Sequence, residues 1–364
     1  MSIKRVIISG GGTGGHIYPA ISIANAMKEI DSSLEFLFVG AEGKMEMEKV
    51  PKAGFNIIGL PIVGIQRTQV WKNLFFPFKL IKSLWQSVKI LQDFKPDVAV
   101  GVGGYASGPL LLAARFLGIP YYIQEQNSFA GITNKVLAAK AEHIFVAYPG
   151  MEKFFPAEKI TLSGNPVRKD LINAAGKKAQ AAEHFHLDPA KKTILIIGGS
   201  QGARSINHGI LAGLDRLTDA GVQLIWQTGI AFESTAKQAV AGNASTYVSA
   251  FIYEMDLAYA MADLVISRAG ASSVSEICLI GKASILVPLP SAAEDHQTEN
   301  AKSLVSQNAA ILVRDVDVKE KLITEALAAL QTDLSTLEKN SLRLAKPNAA
   351  HEIAQSILSR WKKN

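Results

Sequence analysis

Val6-Ile7-Ile8-Ser9 runs directly into Gly10-Gly11-Gly12-Thr13-Gly14-Gly15-His16. A short, apolar, β-branched run that ends in glycines is the pattern of a buried strand turning tightly into a helix. The pattern returns in the second half, where Ile194-Leu195-Ile196-Ile197 opens onto Gly198-Gly199-Ser200-Gln201-Gly202-Ala203. A second pair also rhymes. Asp97-Val98-Ala99-Val100 leads to Gly103-Gly104-Tyr105-Ala106-Ser107-Gly108, and Asp263-Leu264-Val265-Ile266 leads to Arg268-Ala269-Gly270-Ala271-Ser272-Ser273. Further short runs at Glu35–Val39, Tyr121–Gln124, His143–Ala147, Gln223–Gln227, Ser284–Val287 and Ala310–Val313 alternate with helical patterns. The expected fold is α/β, with two similar doubly wound parallel-sheet domains facing each other and four glycine-rich loops lining the cleft. Gly164-Asn165-Pro166 is the expected hinge, because Gly and Pro punctuate there between two element patterns. It divides the chain into domains 1–165 and 166–345, followed by a C-terminal helix at about 346–364.

The totals agree with two domains. The 364 residues exceed the roughly 250–300 at which a single core stops growing. Hydrophobic residues at 48% and charged residues at 19% exclude extensive disorder. The single cysteine, Cys278, excludes an internal disulfide and suits a reducing, intracellular location. The first apolar run is too short for a signal peptide, and no stretch approaches the roughly 20 apolar residues of a spanning helix. A soluble or peripheral protein is expected.

Net charge is +6, and its placement carries the information. Between Glu48 and Asp93 there is no acidic residue, while Lys49, Lys52, Arg67, Lys72, Lys79, Lys82 and Lys89 fall in that window and leave the remainder near neutral. Uniform basicity would point to nucleic acid; one basic stretch points to one anionic surface. Leu74, Ile81, Leu84, Val88 and Leu91 recur at helical spacing and make a face suited to the core. Lys72, Lys79, Lys82 and Lys89 interleave with Trp71, Phe75, Phe78 and Trp85 on the other side, with Pro77 marking a helix start. Lysine with Trp and Phe on one side suits an anionic membrane interface.

Each loop has a functional and a plain reading. Gly10-x-Gly12-x-x-Gly15 matches the dinucleotide fingerprint. The second strand, however, ends in Gly40, where a nicotinamide-binding fold places its ribose-binding acid; Glu42 could substitute. The Gly198–Ala203 loop could cradle a phosphate on free N–H groups with Ser200 adding a hydroxyl, or be a tight turn; no GKS or GKT follows, so it is not a Walker loop. Ser272 or Ser273 could cap a helix and put Glu276 in its first turn or just beyond, as a dipole-stabilising carboxylate or as an acceptor of ribose hydroxyls. Glu294-Asp295-His296-Gln297-Thr298-Glu299-Asn300 suits a sugar or an ordinary polar helix start. Asp315-Val316-Asp317 could hold a metal, but its position before a helix favours capping.

Together GGTGGH (Gly11–His16), GVGGYASGP (Gly101–Pro109), EQN (Glu125–Asn127), GNPVR (Gly164–Arg168), GGSQGA (Gly198–Ala203) and SRAGA..VSE (Ser267–Glu276) resemble one family. These are the GT-B enzymes that add N-acetylglucosamine to undecaprenyl-pyrophosphoryl-muramyl-pentapeptide in cell-wall synthesis. The resemblance implies two Rossmann-like domains, with the acceptor on the first and the UDP-sugar on the second. It also implies a C-terminal helix, about Ala349–Trp361, that crosses back onto the first domain. Carried over by motif, Ser200, Ile252, Ala271, Ser272, Ser273, Val274, Ser275, Glu276 and Gln297 hold UDP-N-acetylglucosamine, Ile252 meeting uracil through its backbone and Glu276 the ribose. Thr13, Gly14, Gly15, Asn127 and Arg168 reach the donor from the facing side, and Gly104 and Tyr105 lie toward the acceptor.

The implied reaction is an inverting transfer without a metal or other cofactor, the Ser200 loop, helix dipoles and Arg168 stabilising the departing diphosphate. His16 is the candidate general base and Glu125 its rival; His16 could instead bind the acceptor pyrophosphate or cap its loop. One departure from the family is Gln124, where it often has histidine. The implied setting is the cytoplasmic face of the cell membrane. A UDP-sugar 2-epimerase, a glycolipid synthase and a non-catalytic sugar-binding protein are the rival readings.

Overall fold

The computed structural model describes residues 3–64, 76–167, 171, 174, 176–199, 202–290, 292 and 295–360. The chain divides into two compact units, 1–168 with 348–364, and 169–347. In the first unit the strands are β1 (Arg5–Ser9), β2 (Glu35–Ala41), β3 (Asn56–Leu60), β4 (Val98–Gly101), β5 (Tyr121–Glu125), β6 (His143–Val146) and β7 (Ile160–Leu162). Between them run α1 (Gly14–Ile30), α2 (Glu46–Lys52), α3 (Phe76–Phe94), α4 (Ser107–Phe116) and α5 (Ile132–Ala138). In the second unit the strands are β8 (Thr193–Ile197), β9 (Gln223–Gln227), β10 (Thr246–Ser249), β11 (Leu264–Ser267), β12 (Ser284–Leu286) and β13 (Ile311–Leu312). Its helices are α6 (Lys178–Phe185), α7 (Arg204–Ala212), α8 (Leu214–Asp219), α9 (Ile230–Ala239), α10 (Met255–Met261), α11 (Ala271–Ile280), α12 (His296–Val305), α13 (Val318–Leu330) and α14 (Ser335–Arg343); α15 (Ala349–Arg360) returns to the first unit.

Both sheets are entirely parallel, ordered β3-β2-β1-β4-β5-β6-β7 and β10-β9-β8-β11-β12-β13. A parallel strand covered on both faces must be apolar throughout, and β1 shows why: Val6 and Ile8 enter one core cluster while Ile7 enters the other. The order reverses beside β1 and beside β8. Those are the positions at which loops from the strand C-termini diverge and open a crevice. The apolar runs of the sequence mark the central strands. Three strands carry no such run, namely β3, β7 and β10, and each is a sheet edge with partly exposed residues.

α15 packs on α1, placing Ile353, Ala354 and Ile357 in the cluster that holds Ile17, Ala20, Ile21 and Ala24. α3 begins at Phe76 with Pro77 in its first turn, but its core face is not the expected one. Ser83, Ser87, Ile90 and Leu91 are buried, with Leu80 and Val88 packed partly against the core, whereas Ile81 is 64% exposed. The serines leave room for α3 to lie close on α4, and this rotates the helix so that Ile81 joins Phe78 (71%) and Trp85 (67%) outside. Trp71, Lys72, Leu74 and Phe75 lie outside the described residues. Among the described residues, no helix is long and apolar enough to cross a membrane.

Candidate functional site

In the first unit two glycine turns meet at the C-terminal end of the sheet. A Cβ on Gly104 would lie 2.2 Å from the carbonyl oxygen of Gly11, so the β4–α4 turn rests directly on the β1–α1 turn, backbone to backbone. Gly12 and Gly104 both have φ of +87°, a conformation open to glycine. Ser107 Oγ lies 2.8 Å from Ser9 O and 2.9 Å from Gly103 O and ties the turns to β1. Tyr105, 49% exposed, packs its ring over Gly12 and Gly64. Thr13, Gly14 and Gly15 form the start of α1, with Thr13 extended at the N-cap and its carbonyl accepting from His16 N–H and Ile17 N–H.

His16 is half-buried, with Nδ1 3.0 Å from Val102 O and 2.8 Å from Gln126 Oε1. Gln126 cannot turn its amide over, because its Nε2 donates to Val102 O at 2.7 Å, to Gln124 O at 3.2 Å and to Gln124 Oε1. Both groups facing Nδ1 are therefore acceptors. This assigns the proton of neutral His16 to Nδ1 and leaves Nε2 as a bare acceptor. The amides continue head to tail: Gln124 Nε2 donates to Asn165 Oδ1 at 3.1 Å, and Asn165 Nδ2 donates back to Gln126 O at 3.0 Å. Gln124, the departure from the family pattern, thus lies fully buried inside this chain, not at a substrate surface.

Glu125 is differently placed. It is 2% exposed, and its carboxylate accepts from Asn127 N–H (3.1 Å), Asn127 Nδ2 (3.3 Å), Gly131 N–H (3.0 Å) and Asn134 Nδ2 (2.8 Å). Four donors organise the 125–134 turn around it. Asn127 comes into the site as part of that turn.

The second unit repeats the arrangement. Gly199 has φ of +80° and open space where a Cβ would stand, while a Cβ on Gly202 would lie 1.9 Å from Thr228 O. Gln227 Nε2 donates to Gly199 O (3.1 Å) and its Oε1 accepts from Ile252 N–H (3.0 Å), so one side chain links the glycine turn to the segment that carries Ile252. Ala271 to Glu276 form the start of α11. The N-cap is Gly270, so Ser272 and Ser273 do not cap the helix; they stand in its first turn and Glu276 in its second. Ala271 and Val274 are buried, and Ser272 Oγ is a buried hydroxyl without a partner among the described residues. Glu276 Oε2 accepts from Tyr259 OH at 3.3 Å. Gln297 Oε1 accepts from Leu289 N–H at 3.0 Å, tying the strand exit to α12. Arg168 and Ser200 lie outside the described residues, as does Glu294.

Several organising residues carry no signal of their own in the sequence. Arg268 donates to Val287 O (3.1 Å), Pro288 O (3.2 Å), Asp315 Oδ1 (2.5 Å) and Ser205 Oγ (2.9 Å), and so draws three turns together. The reading of the Asp315–Asp317 pair as helix caps holds in position, since Asp317 is the N-cap of α13, but not in bonding. Asp315 is the partner of Arg268, and Asp317 bonds Arg314 Nε at 2.6 Å with no side-chain cap bond to α13. Asn207 and Asn300 likewise hold turn carbonyls, Thr228 O at 2.8 Å and Ala269 O at 3.2 Å. Cys278 is buried in α11, and burial pushes its thiol up to about 11, far from a reactive thiolate.

Two all-parallel units with glycine turns at the strand C-termini make a two-domain α/β architecture of the Rossmann-like class, which by itself assigns no reaction. Residues 6–146 match the N-terminal domain model of glycosyltransferase family 28, and residues 193–357 its C-terminal domain model. A Bacteroides fragilis protein named UDP-N-acetylglucosamine–N-acetylmuramyl-(pentapeptide) pyrophosphoryl-undecaprenol N-acetylglucosamine transferase is 54% identical over 362 residues, covering 97% of this chain and 95% of that protein. The crystal structure of Acinetobacter baumannii MurG superimposes with a TM-score of 0.76 at 30% identity, over 98% of this chain and 99% of that one. A UDP-GlcNAc 2-epimerase from Neisseria meningitidis shares the fold alone, with a TM-score of 0.67 at 15% identity over 98% and 100% of the two chains. The chain belongs to glycosyltransferase family 28, in the branch that includes MurG.

Because Glu125 holds a turn together, Glu125→Gln sets an NH₂ group against N–H donors. It is expected to cost about 1–3 kcal/mol of stability, read as a lower midpoint in urea unfolding followed by fluorescence. An unchanged midpoint would contradict the structural role.

Proposed function

We propose that the chain transfers N-acetylglucosamine from UDP-N-acetylglucosamine to the muramyl sugar of undecaprenyl-pyrophosphoryl-MurNAc-pentapeptide, in peptidoglycan synthesis. The observation that carries this is near-full-length identity of 54% to a protein named for that reaction. The first unit receives the acceptor, with Gly104 and Tyr105 beside it. The second receives the donor: Ile252 meets uracil, Glu276 the ribose, and the Gly198–Gly202 turn with Ser200 the diphosphate, while Ala271–Ser275 and Gln297 frame the sugar. Thr13, Gly14, Gly15, Asn127 and Arg168 complete donor binding.

The chemistry follows from which groups remain available. The acceptor hydroxyl oxygen forms a bond to the anomeric carbon as the bond from that carbon to the UDP oxygen breaks, with inversion. The hydroxyl proton passes to His16 Nε2, the imidazole nitrogen left bare by its neighbours. Glu125, with both oxygens already accepting, is the poorer base. UDP leaves as an anion stabilised by turn N–H groups, the α11 N-terminus and Arg168, with no metal in the step.

A lipid-linked acceptor places the enzyme at the cytoplasmic face of the membrane. Phe78, Ile81 and Trp85 stand exposed on α3 beside exposed Lys79, Lys82 and Lys89. Leu112 and Phe116 on α4, and Ile132 and Val136 on α5, are further exposed apolar residues, α4 packing on α3 and α5 on α4. At about 1 kcal/mol per lysine near an anionic surface, three lysines supply roughly 3 kcal/mol beyond the apolar contribution. Lys72 belongs to the same basic stretch of sequence.

Incubation of the purified protein with radiolabelled UDP-N-acetylglucosamine and the muramyl lipid should move label into lipid only when the acceptor is present. Activity should persist in excess chelator; a loss restored by Mg²⁺ would contradict the metal-free step. Donor conversion without acceptor would instead establish an epimerase. In vesicle flotation the protein should rise with anionic liposomes more than with neutral ones; Lys79→Gln/Lys82→Gln/Lys89→Gln should abolish the difference, and Phe78→Ser/Trp85→Ser should weaken flotation with both. Equal flotation with both lipids would count against this surface.

A further inference from the structure

Glu46 belongs to none of the recognisable motifs, yet it is fully buried under the first glycine turn. Its Oε2 accepts from Gly12 N–H at 2.9 Å and its Oε1 from Ala41 N–H at 3.0 Å, so one carboxylate joins the β1–α1 turn to the end of β2. The surrounding backbone is shaped to admit it. A Cβ on Gly11 would lie 2.1 Å from Glu46 Oε1, and one on Gly40 would lie 2.5 Å from Glu46 Cγ. Gly11 in turn supports Gly104 of the second turn, so a stack runs from Glu46 through Gly11 to the residue beside Tyr105.

The position of this carboxylate has a chemical consequence. In a dinucleotide-binding turn of the form Gly-x-Gly-x-x-Gly, the middle glycine lets phosphate oxygens approach the backbone. Here the N–H of Gly12 already donates to Glu46, and a second anion would meet a carboxylate at hydrogen-bond distance. The glycine turn resembles a dinucleotide site in sequence, but its Gly11–Gly12 half is filled from below by the protein's own anion. We propose that Glu46 is a positioning residue for the transfer reaction: it sets the height of Gly11–Gly12, and through it the register of His16 and of Gly104–Tyr105 at the acceptor side. The proposal rests on the acceptor assignment made above for the first unit.

Glu46→Gln tests it, because the amide keeps the shape but must turn NH₂ toward either Gly12 N–H or Ala41 N–H. The turn is freer to move than the strand, so Gly12 should yield. Expected is a fall of about tenfold to a hundredfold in kcat/KM for the muramyl lipid, the cost of a displaced reacting group, while the calorimetric Kd for UDP stays within about twofold, since uracil, ribose and diphosphate are assigned to the second unit, remote from Glu46. Hydrogen exchange at the Gly12 amide should accelerate in the variant whether or not transfer is measured. Gly11→Ala gives a second route: its methyl collides with the carboxylate and should produce the same acceptor-specific loss, and less than additively with Glu46→Ala. A UDP Kd weakened as far as the acceptor term, or unchanged Gly12 exchange in Glu46→Gln, would overturn the proposal. Absence of acceptor-dependent transfer by the wild type would instead sink the assigned reaction, with the exchange measurement still deciding the role of Glu46.

Discussion

Backbone N–H and C=O groups that leave a parallel strand for a glycine turn lose their ladder partners, and a buried turn must find others. Everything at the business end of this protein follows from how that requirement is met. In the first unit Glu46, Ser107, Gln126 and Glu125 reach into the turns and bond their backbone. In the second, Gln227, Asn207, Arg268 and Asn300 do the same. Glycine makes the turns possible, and buried polar side chains hold them to one geometry. A site built this way is preorganised, because its donors and acceptors are fixed before substrate arrives.

The same requirement decides which groups are left for chemistry. Glu46 and Glu125 stand near the first unit's turns, and both have their oxygens occupied by backbone or amide donors. Among the described residues, the hydrogen bonds of the His16 ring run through Nδ1. On the proposed mechanism, this division of labour leaves an imidazole, and not a carboxylate, to take the proton. It also accounts for Gln124. An amide that accepts from Gln126 and donates to Asn165 completes a chain in which every member points the same way, and such chains polarise their ends.

Much of this was legible in the residues, for physical reasons that differ by element. Central strands announce themselves because both faces are buried, as Val6-Ile7-Ile8 and Ile194–Ile197 show; edge strands β3, β7 and β10 lack that pressure and leave no comparable run. Glycine turns are visible because only glycine accepts their backbone. The side chains that secure them are not, since Glu46 opens α2, Gln227 ends β9, and both meet the turns only through the fold. Periodicity misplaces the core face of α3 because it counts Ser83 and Ser87 as polar, whereas close packing on α4 favours small residues there and turns Ile81 outward. The pairing of Asp315 is hidden for a similar reason: its partner Arg268 lies 47 residues away in sequence.

The central claim is that the turn framework fixes the His16 proton on Nδ1 and leaves Nε2 as the base. Long-range ¹H–¹⁵N correlation of the imidazole, assigned by comparison with His16→Gln, reads that directly at a pH where the ring is neutral. The account predicts a protonated Nδ1 and a bare Nε2. A protonated Nε2 with bare Nδ1 would contradict it, since neither Val102 O nor Gln126 Oε1 could then be the partner that holds the ring.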